Sequence, residues 1–243
     1  MIIFAASARR ALFVLPLAFA LTTLVACAPQ NSERLPDDPS FEEFDPNISP
    51  EHGNVVDDGI EMLPAPLANY DHVDKKGLIP KNLLKKALAY YDANLSKIKN
   101  KAVLSVIDFA QPSNKPRFFI IDMKSGSVWA LRTSHGKGSD ANHDGFAEKF
   151  SNTSGSNASS LGVYMTAETY NGGNGYSLRL DGLSSTNSNA RARAVVVHGA
   201  SYVQDRDVIQ GRSFGCPAVP MDVRKKVIDT IKGGSIIYAQ KSF

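Results

Sequence analysis

Between positions 103 and 239 the chain carries seven short β-rich segments separated by polar, glycine-bearing turns: 103–109, 117–123, 127–133, 161–166, 176–180, 194–198 and 235–239. Runs of this length and β-branched or aromatic content suit strands and are too short for most helices. Lys124-Ser125-Gly126 sits between the second and third runs and predicts a hairpin there. Only two segments have helical spacing. Pro80 opens 81–97, where Leu84, Leu88, Tyr91 and Leu95 recur at three or four residues, with proline at the first turn. Asp222 opens 222–232, which sets Val223, Val227, Ile228 and Ile231 on one face and stops at Gly233-Gly234. The expectation is a mostly β domain with peripheral helices, as a sandwich or a mixed sheet. Its Ser/Asn/Gly-rich stretch 134–160 is a long loop of the kind usually kept for function.

The N-terminal third is different in kind. Arg9 and Arg10 precede sixteen uncharged positions, 11–26, ending in Leu24-Val25-Ala26-Cys27. A basic start, a short apolar run and a small residue describe an export signal, and the run is short for a spanning helix. Leu24-Val25-Ala26-Cys27 resembles the lipobox of bacterial lipoproteins, which implies a signal peptide over 1–26 and acylation of Cys27; an uncleaved anchor is the alternative. Ala28, where some lipoproteins have Asp, favours the outer membrane within that resemblance. Residues 27–75 then read as a disordered tether. Seven prolines interrupt it, and from Ala28 it holds twelve Asp or Glu against Arg34 and Lys75. Phe41 and Phe44 are its candidate docking residues.

Composition narrows the function classes. At 43% hydrophobic residues the chain is not disordered throughout, and two cysteines cannot staple a domain of this size. Residues 76–243 hold 23 Lys and Arg against 12 Asp and Glu, a surplus that attracts anionic partners. No helix-turn-helix, zinc-finger or aromatic RNA-binding pattern accompanies the charge, so no nucleic-acid partner is expected. A carboxylate-bearing polymer such as cell-wall peptide fits better; a plain solvated basic surface is the other reading.

If Cys27 carries lipid, Cys216 is the one thiol left in the domain. It lies in Gly211-Arg212-Ser213-Phe214-Gly215-Cys216-Pro217, a turn in which Gly215 permits a backbone angle that lifts the sulfur into a cleft. Val195-Val196-Val197-His198-Gly199 places a histidine at the end of a strand, a rigid platform for catalysis. A thiol nucleophile needs a neighbouring base, and imidazole titrates near neutrality, so Cys216 and His198 are the candidate pair. An inert thiol and a structural histidine are the alternative. His52 and His72 fall in the tether, His143 in a polar loop, and His135 follows a strand that could line the same cleft. A metal site from His135, His198 and Cys216 is a weaker reading, lacking short-spaced ligand pairs and a carboxylate.

Ser213 falls fourteen positions after Gly199, and the Ser-x-Gly-Cys that it opens resembles the active-site signature of murein L,D-transpeptidases with a YkuD-like catalytic domain. Lys149-Phe150-Ser151-Asn152, Ser159-Ser160-Leu161-Gly162-Val163-Tyr164, Asn174-Gly175-Tyr176-Ser177-Leu178-Arg179-Leu180 and Ala190-Arg191-Ala192-Arg193 extend the likeness over roughly 80–240, to a branch reading Ser-x-Gly-Cys-Pro-Ala. The resemblance implies a catalytic domain over 76–243 that needs no metal or organic cofactor. It also implies acyl transfer on peptidoglycan stem peptides, with Cys216 as nucleophile and His198 as base. Water as acceptor would make the same site a carboxypeptidase or endopeptidase, and loss of turnover would leave a wall-binding lipoprotein. Two departures stand out. Phe214 replaces the motif's second histidine, and Pro217-Ala218 follows the cysteine where an arginine often comes soon after. His135 is the candidate replacement for the histidine, and Arg212 or Arg179 for the arginine. Gly215, Ser213, Gly199 and Tyr164 complete the expected oxyanion and substrate pocket, while Arg191 and Arg193 fit either stem carboxylates or an exposed strand edge. Localisation follows as exported and periplasmic, lipid-anchored at the outer membrane, with any protein partner unspecified.

Overall fold

The computed structural model describes residues 67–243. A 3-10 turn at Leu67–Tyr70 leads into α1 (Lys81–Ala93), followed by β1 (Val103–Asp108), β2 (Phe118–Asp122) and β3 (Val128–Leu131). β4 (Gly162–Gly172), β5 (Gly175–Gly182), β6 (Val196–Ala200), β7 (Ala218–Pro220), α2 (Arg224–Ile231) and β8 (Ile236–Gln240) complete the chain. The strands make one mixed sheet in the order β3-β2-β1-β8-β4-β5-β6-β7. β1–β8 and β6–β7 are parallel; the other pairs are antiparallel.

The central strands are apolar on both faces because both faces are covered. Along β1 the alternation of the pleat sends Val103 and Ile107 to one cluster and Leu104 and Val106 to another. β2 repeats this with Phe118 and Ile120 against Phe119 and Ile121. α2 caps the first cluster with Val227, Ile228 and Ile231, and α1 caps the second with Leu83, Ala87, Leu88 and Tyr91. Each such aliphatic side chain contributes roughly 1.5–3 kcal/mol by leaving water.

The two outer strands nearly meet. Just past β3, the Ser134 N–H donates to the Ala218 carbonyl of β7 at 3.0 Å and the Thr133 hydroxyl to the same oxygen at 2.7 Å. Gly136 and Ser213 form a further parallel bridge. The sheet thereby curls almost into a barrel instead of splitting into a sandwich.

Several elements differ from the sequence expectation. The first helix stops at Ala93, not 97, because the Asn94 side-chain amide donates back to the Tyr90 carbonyl and closes the last turn. The fourth strand runs on to Gly172 through a register shift between Thr166 and Thr169, turning at Gly173-Asn174 into β5. β7 is an eighth strand; three residues ending in Pro220 carry too little pattern to be seen. The hairpin at 124–126 forms as expected, with Asp122 Oδ1 accepting the N–H groups of Lys124 and Ser125 and Gly126 at φ +75°. The folded unit also begins before position 76. Val73 is buried against α1, the Tyr70 hydroxyl donates to Asp92, and Asp74 accepts the Leu78 and Ile79 N–H groups. His72 therefore belongs to the domain, with Nε2 3.0 Å from the Met123 carbonyl. The signal peptide, Cys27 and most of the tether, with Phe41, Phe44 and His52, lie outside the described residues.

Candidate active site

β6 and β7 run parallel, with His198 opposite Ala218 and Gly199 opposite Val219. Cys216 lies two residues ahead of Ala218, just outside β7, which brings its sulfur against the start of β6, two residues before His198. Its Sγ accepts the Val196 N–H at 3.5 Å and donates toward the Ala194 carbonyl at 3.7 Å. No hydrogen bond joins Sγ to the His198 ring. Burial pushes the thiol pKa up, opposed by the Val196 N–H and by the positive charge of Arg193.

His198 is 4% exposed, and burial lowers its pKa. Nδ1 lies 3.0 Å from the Gly199 carbonyl. A carbonyl only accepts, so Nδ1 carries the hydrogen and Nε2 keeps the lone pair. Gly199 therefore serves through its oxygen.

The turn before Cys216 is fixed by its own polar atoms. Ser213 donates its hydroxyl to the Cys216 carbonyl at 2.7 Å and accepts the Gly215 N–H at 3.1 Å. Gly215 sits at φ +126°, and a Cβ there would come within 2.7 Å of the Ala158 carbonyl. The Ser159 hydroxyl donates to the Gly215 carbonyl and accepts the Gly136 N–H. Pro217 has no N–H and the Gly215 N–H is engaged, which leaves the N–H groups of Phe214 and Cys216 as the donors of this turn without a partner among the described residues. Beneath the turn a cavity of about 10 Å³, lined by Ser159, Ser160, Tyr164, Gly215 and Pro217, has room for about one water.

Four sequence candidates are engaged with other parts of the fold. Tyr164 is 5% exposed, its hydroxyl donating to the Ser160 carbonyl, so it supports the turn from the core. His135 does not line an open cleft: it is 1% exposed, with Nδ1 2.8 Å from Arg117 Nη2 and Nε2 2.9 Å from Asp140 Oδ2. Arginine can only donate, so His135 accepts at Nδ1 and donates from Nε2–H to the carboxylate. Burial, with help from Arg117, pushes its pKa down to about 4 despite Asp140. With both ring nitrogens engaged it is no metal ligand. Arg212 donates to the Asp140 and Ala141 carbonyls, and Arg179 pairs with Glu168 and stacks on Tyr170.

Other residues emerge only from the fold. Fully buried Arg117 donates to the Gln111 and Thr133 carbonyls and to His135, tying the end of β3 to the 134–140 loop. Burial pushes its pKa down to about 9, against the pull of Asp108 and Asp140, so it stays charged at neutral pH. Burial alone would raise the Asp140 pKa, but donors from His135 and Gly145 hold it below the usual range. Nothing local in the sequence marks Arg117 or Asp140 as partners. Phe214 stands 69% exposed beside the site with Lys137 Nζ 4.5 Å from its ring centre. Of the alternating arginines, Arg191 pairs outward with Glu168 and Asp181, whereas Arg193 turns in toward Cys216. Among the described residues no group of three or more His, Cys, Asp or Glu could hold a metal ion, and no helix is long and apolar enough to cross a membrane.

Residues 75–240 match the family described as L,D-transpeptidase catalytic domain. No curated protein matches the chain. Among solved structures, an LD transpeptidase, LdtMt1, in complex with imipenem is 15% identical, with 57% of this chain and 59% of that one covered at a TM-score of 0.37. An L,D-transpeptidase from Mycobacterium smegmatis is 17% identical, covering 57% and 58% at a TM-score of 0.37. One from Xylanimonas cellulosilytica is 14% identical, covering 64% and 69% at 0.35. The chain thus spans under two thirds of the length of the first two.

Proposed function

The chain belongs to the L,D-transpeptidase catalytic domain family, and from that premise we propose that it is a cysteine-dependent acyltransferase acting on peptidoglycan stem peptides. What supports the reading is that Cys216 Sγ rests against the Val196 N–H at the start of β6, the strand that carries His198. The Cys216 thiol gives its proton to His198 Nε2, and the thiolate attacks the carbonyl of the L-centred third stem residue. The Cys216 N–H, free of any partner in the turn, is a donor for the developing oxyanion. The C–N bond to the terminal D-alanine then breaks, and the leaving amine takes the proton back from His198. A thioester remains on Cys216 until the side-chain amine of a second stem displaces the sulfur and forms the cross-link; water in that role makes the protein a carboxypeptidase or endopeptidase.

Acylated Cys27 would hold the domain at the periplasmic face of the outer membrane, within reach of the wall. The acidic tether supplies the span.

The test is product analysis with defined tetrapeptide stems: release of D-alanine and a new cross-link from the wild type, and neither from Cys216→Ala. One observation favours a wall-binding role without turnover, namely that Sγ is bonded to backbone groups of 194 and 196 and not to His198. Retention on peptidoglycan with no D-alanine release would select that second reading.

A further inference from the structure

The stretch 193–196, just ahead of and entering β6, surrounds the sulfur. Ala194 takes a left-handed backbone at φ +54°, rare for a residue with a side chain, and its carbonyl faces the thiol while the Val196 N–H points at Sγ. Arg193 lies on the other side of that strained residue. Its Nη1 donates to the Ser151 carbonyl at 2.7 Å and to Ser160 Oγ at 3.3 Å; its Nη2 donates to the Ala158 carbonyl at 2.6 Å and to Ser156 Oγ at 3.3 Å. Four bonds thus draw the 151–160 loop together at the point where it passes under Gly215, whose Cβ position is 3.3 Å from Arg193 Nη2. We propose that Arg193 is the positioning residue of the nucleophile: its guanidinium clamps the 151–160 loop beneath the Ser213–Cys216 turn and supplies the one fixed charge that favours the Cys216 thiolate.

The other titratable groups facing the sulfur leave that charge unopposed. Tyr164 from β4 and Tyr202 after β6 are pushed up to about 12, mainly by burial, and stay neutral at working pH. His198 on β6 has its pKa lowered and is also neutral at pH 7. Among the described residues Arg193 is the charged group whose field reaches Cys216. Arg191, two positions earlier, faces Glu168 and Asp181 and has no such part.

The inference builds on the nucleophilic reading of Cys216, yet its test needs no peptidoglycan, so the two fail separately. The rate of alkylation of Cys216 by iodoacetamide is followed against pH in the full chain, for the wild type, Arg193→Gln, Arg193→Lys and Arg191→Gln. Arg193→Gln removes the opposite charge and loosens the loop beneath the turn, so it should move the midpoint up and slow alkylation several-fold at pH 7. Arg193→Lys keeps the charge without the fork and should fall between Arg193→Gln and the wild type. Arg191→Gln should follow the wild-type curve. A wild-type midpoint in Arg193→Gln overturns the proposal; where that variant does not fold, a wild-type midpoint in Arg193→Lys does so.

Discussion

Buried His135 predicts an acid sensitivity that can be assigned to one side chain. Its pKa is about 4 in the fold, against about 6.5 in an unfolded chain. The folded form therefore holds the neutral ring while the unfolded chain binds the proton first. Stability is full above pH 6.5 and falls by about 1.4 kcal/mol per unit until pH 4, a loss of about 3 kcal/mol. The loss reaches the candidate site, because the His135 carbonyl accepts the Ser213 N–H at 2.8 Å. Urea unfolding of wild type and His135→Gln at several pH values from 7 to 4 is the assay. Glutamine can still donate to Asp140 and accept from Arg117 but does not titrate in this range, so contributions from surface carboxylates cancel in the comparison. His135→Gln should escape most of the 3 kcal/mol decline. Parallel stability curves for the two proteins across this window would refute the reasoning.

Three further outcomes are expected. Gly215→Ala should cost at least about 1–3 kcal/mol in urea unfolding, since φ is +126° and the new Cβ meets the Ala158 carbonyl. It should also abolish D-alanine release from tetrapeptide stems. His198→Ala should lower the rate of that release by about 10²–10⁴-fold, and in the wild type the acid limb of the rate profile should fall below pH 6.5, because burial depresses the imidazole pKa. Phe214→His, at an exposed position whose recorded partner is Lys137, should change urea stability by no more than about 1 kcal/mol.

What the sequence made legible was whatever its pattern carries locally. Strand alternation and β-branched runs located seven of the eight strands, and Gly233-Gly234, both at positive φ, ended α2 where expected. β7 was invisible because its three residues are defined by their neighbours on either side. Cys216 and His198 could be singled out because one lies in a glycine-flanked turn and the other in a β-branched run; that run forms β6, with His198 at its middle, and the sulfur meets its first N–H. The sequence allows His135 to line the cleft because its burial depends on partners that only the fold brings to it, Arg117 from ahead of β2 and Asp140 from five residues on in its own loop. Arg193 reads like its neighbour Arg191; only the fold tells them apart, through Glu168 and Asp181 for Arg191 and the 151–160 loop for Arg193.

The most direct measurement is the intact mass of the protein after brief exposure to a tetrapeptide stem without an acceptor amine. The account predicts one tripeptide acyl group, mapped to Cys216 by fragmentation, removed by thioester-cleaving hydroxylamine and missing from Cys216→Ala. An unmodified protein, or an acyl group on any other residue, would contradict it.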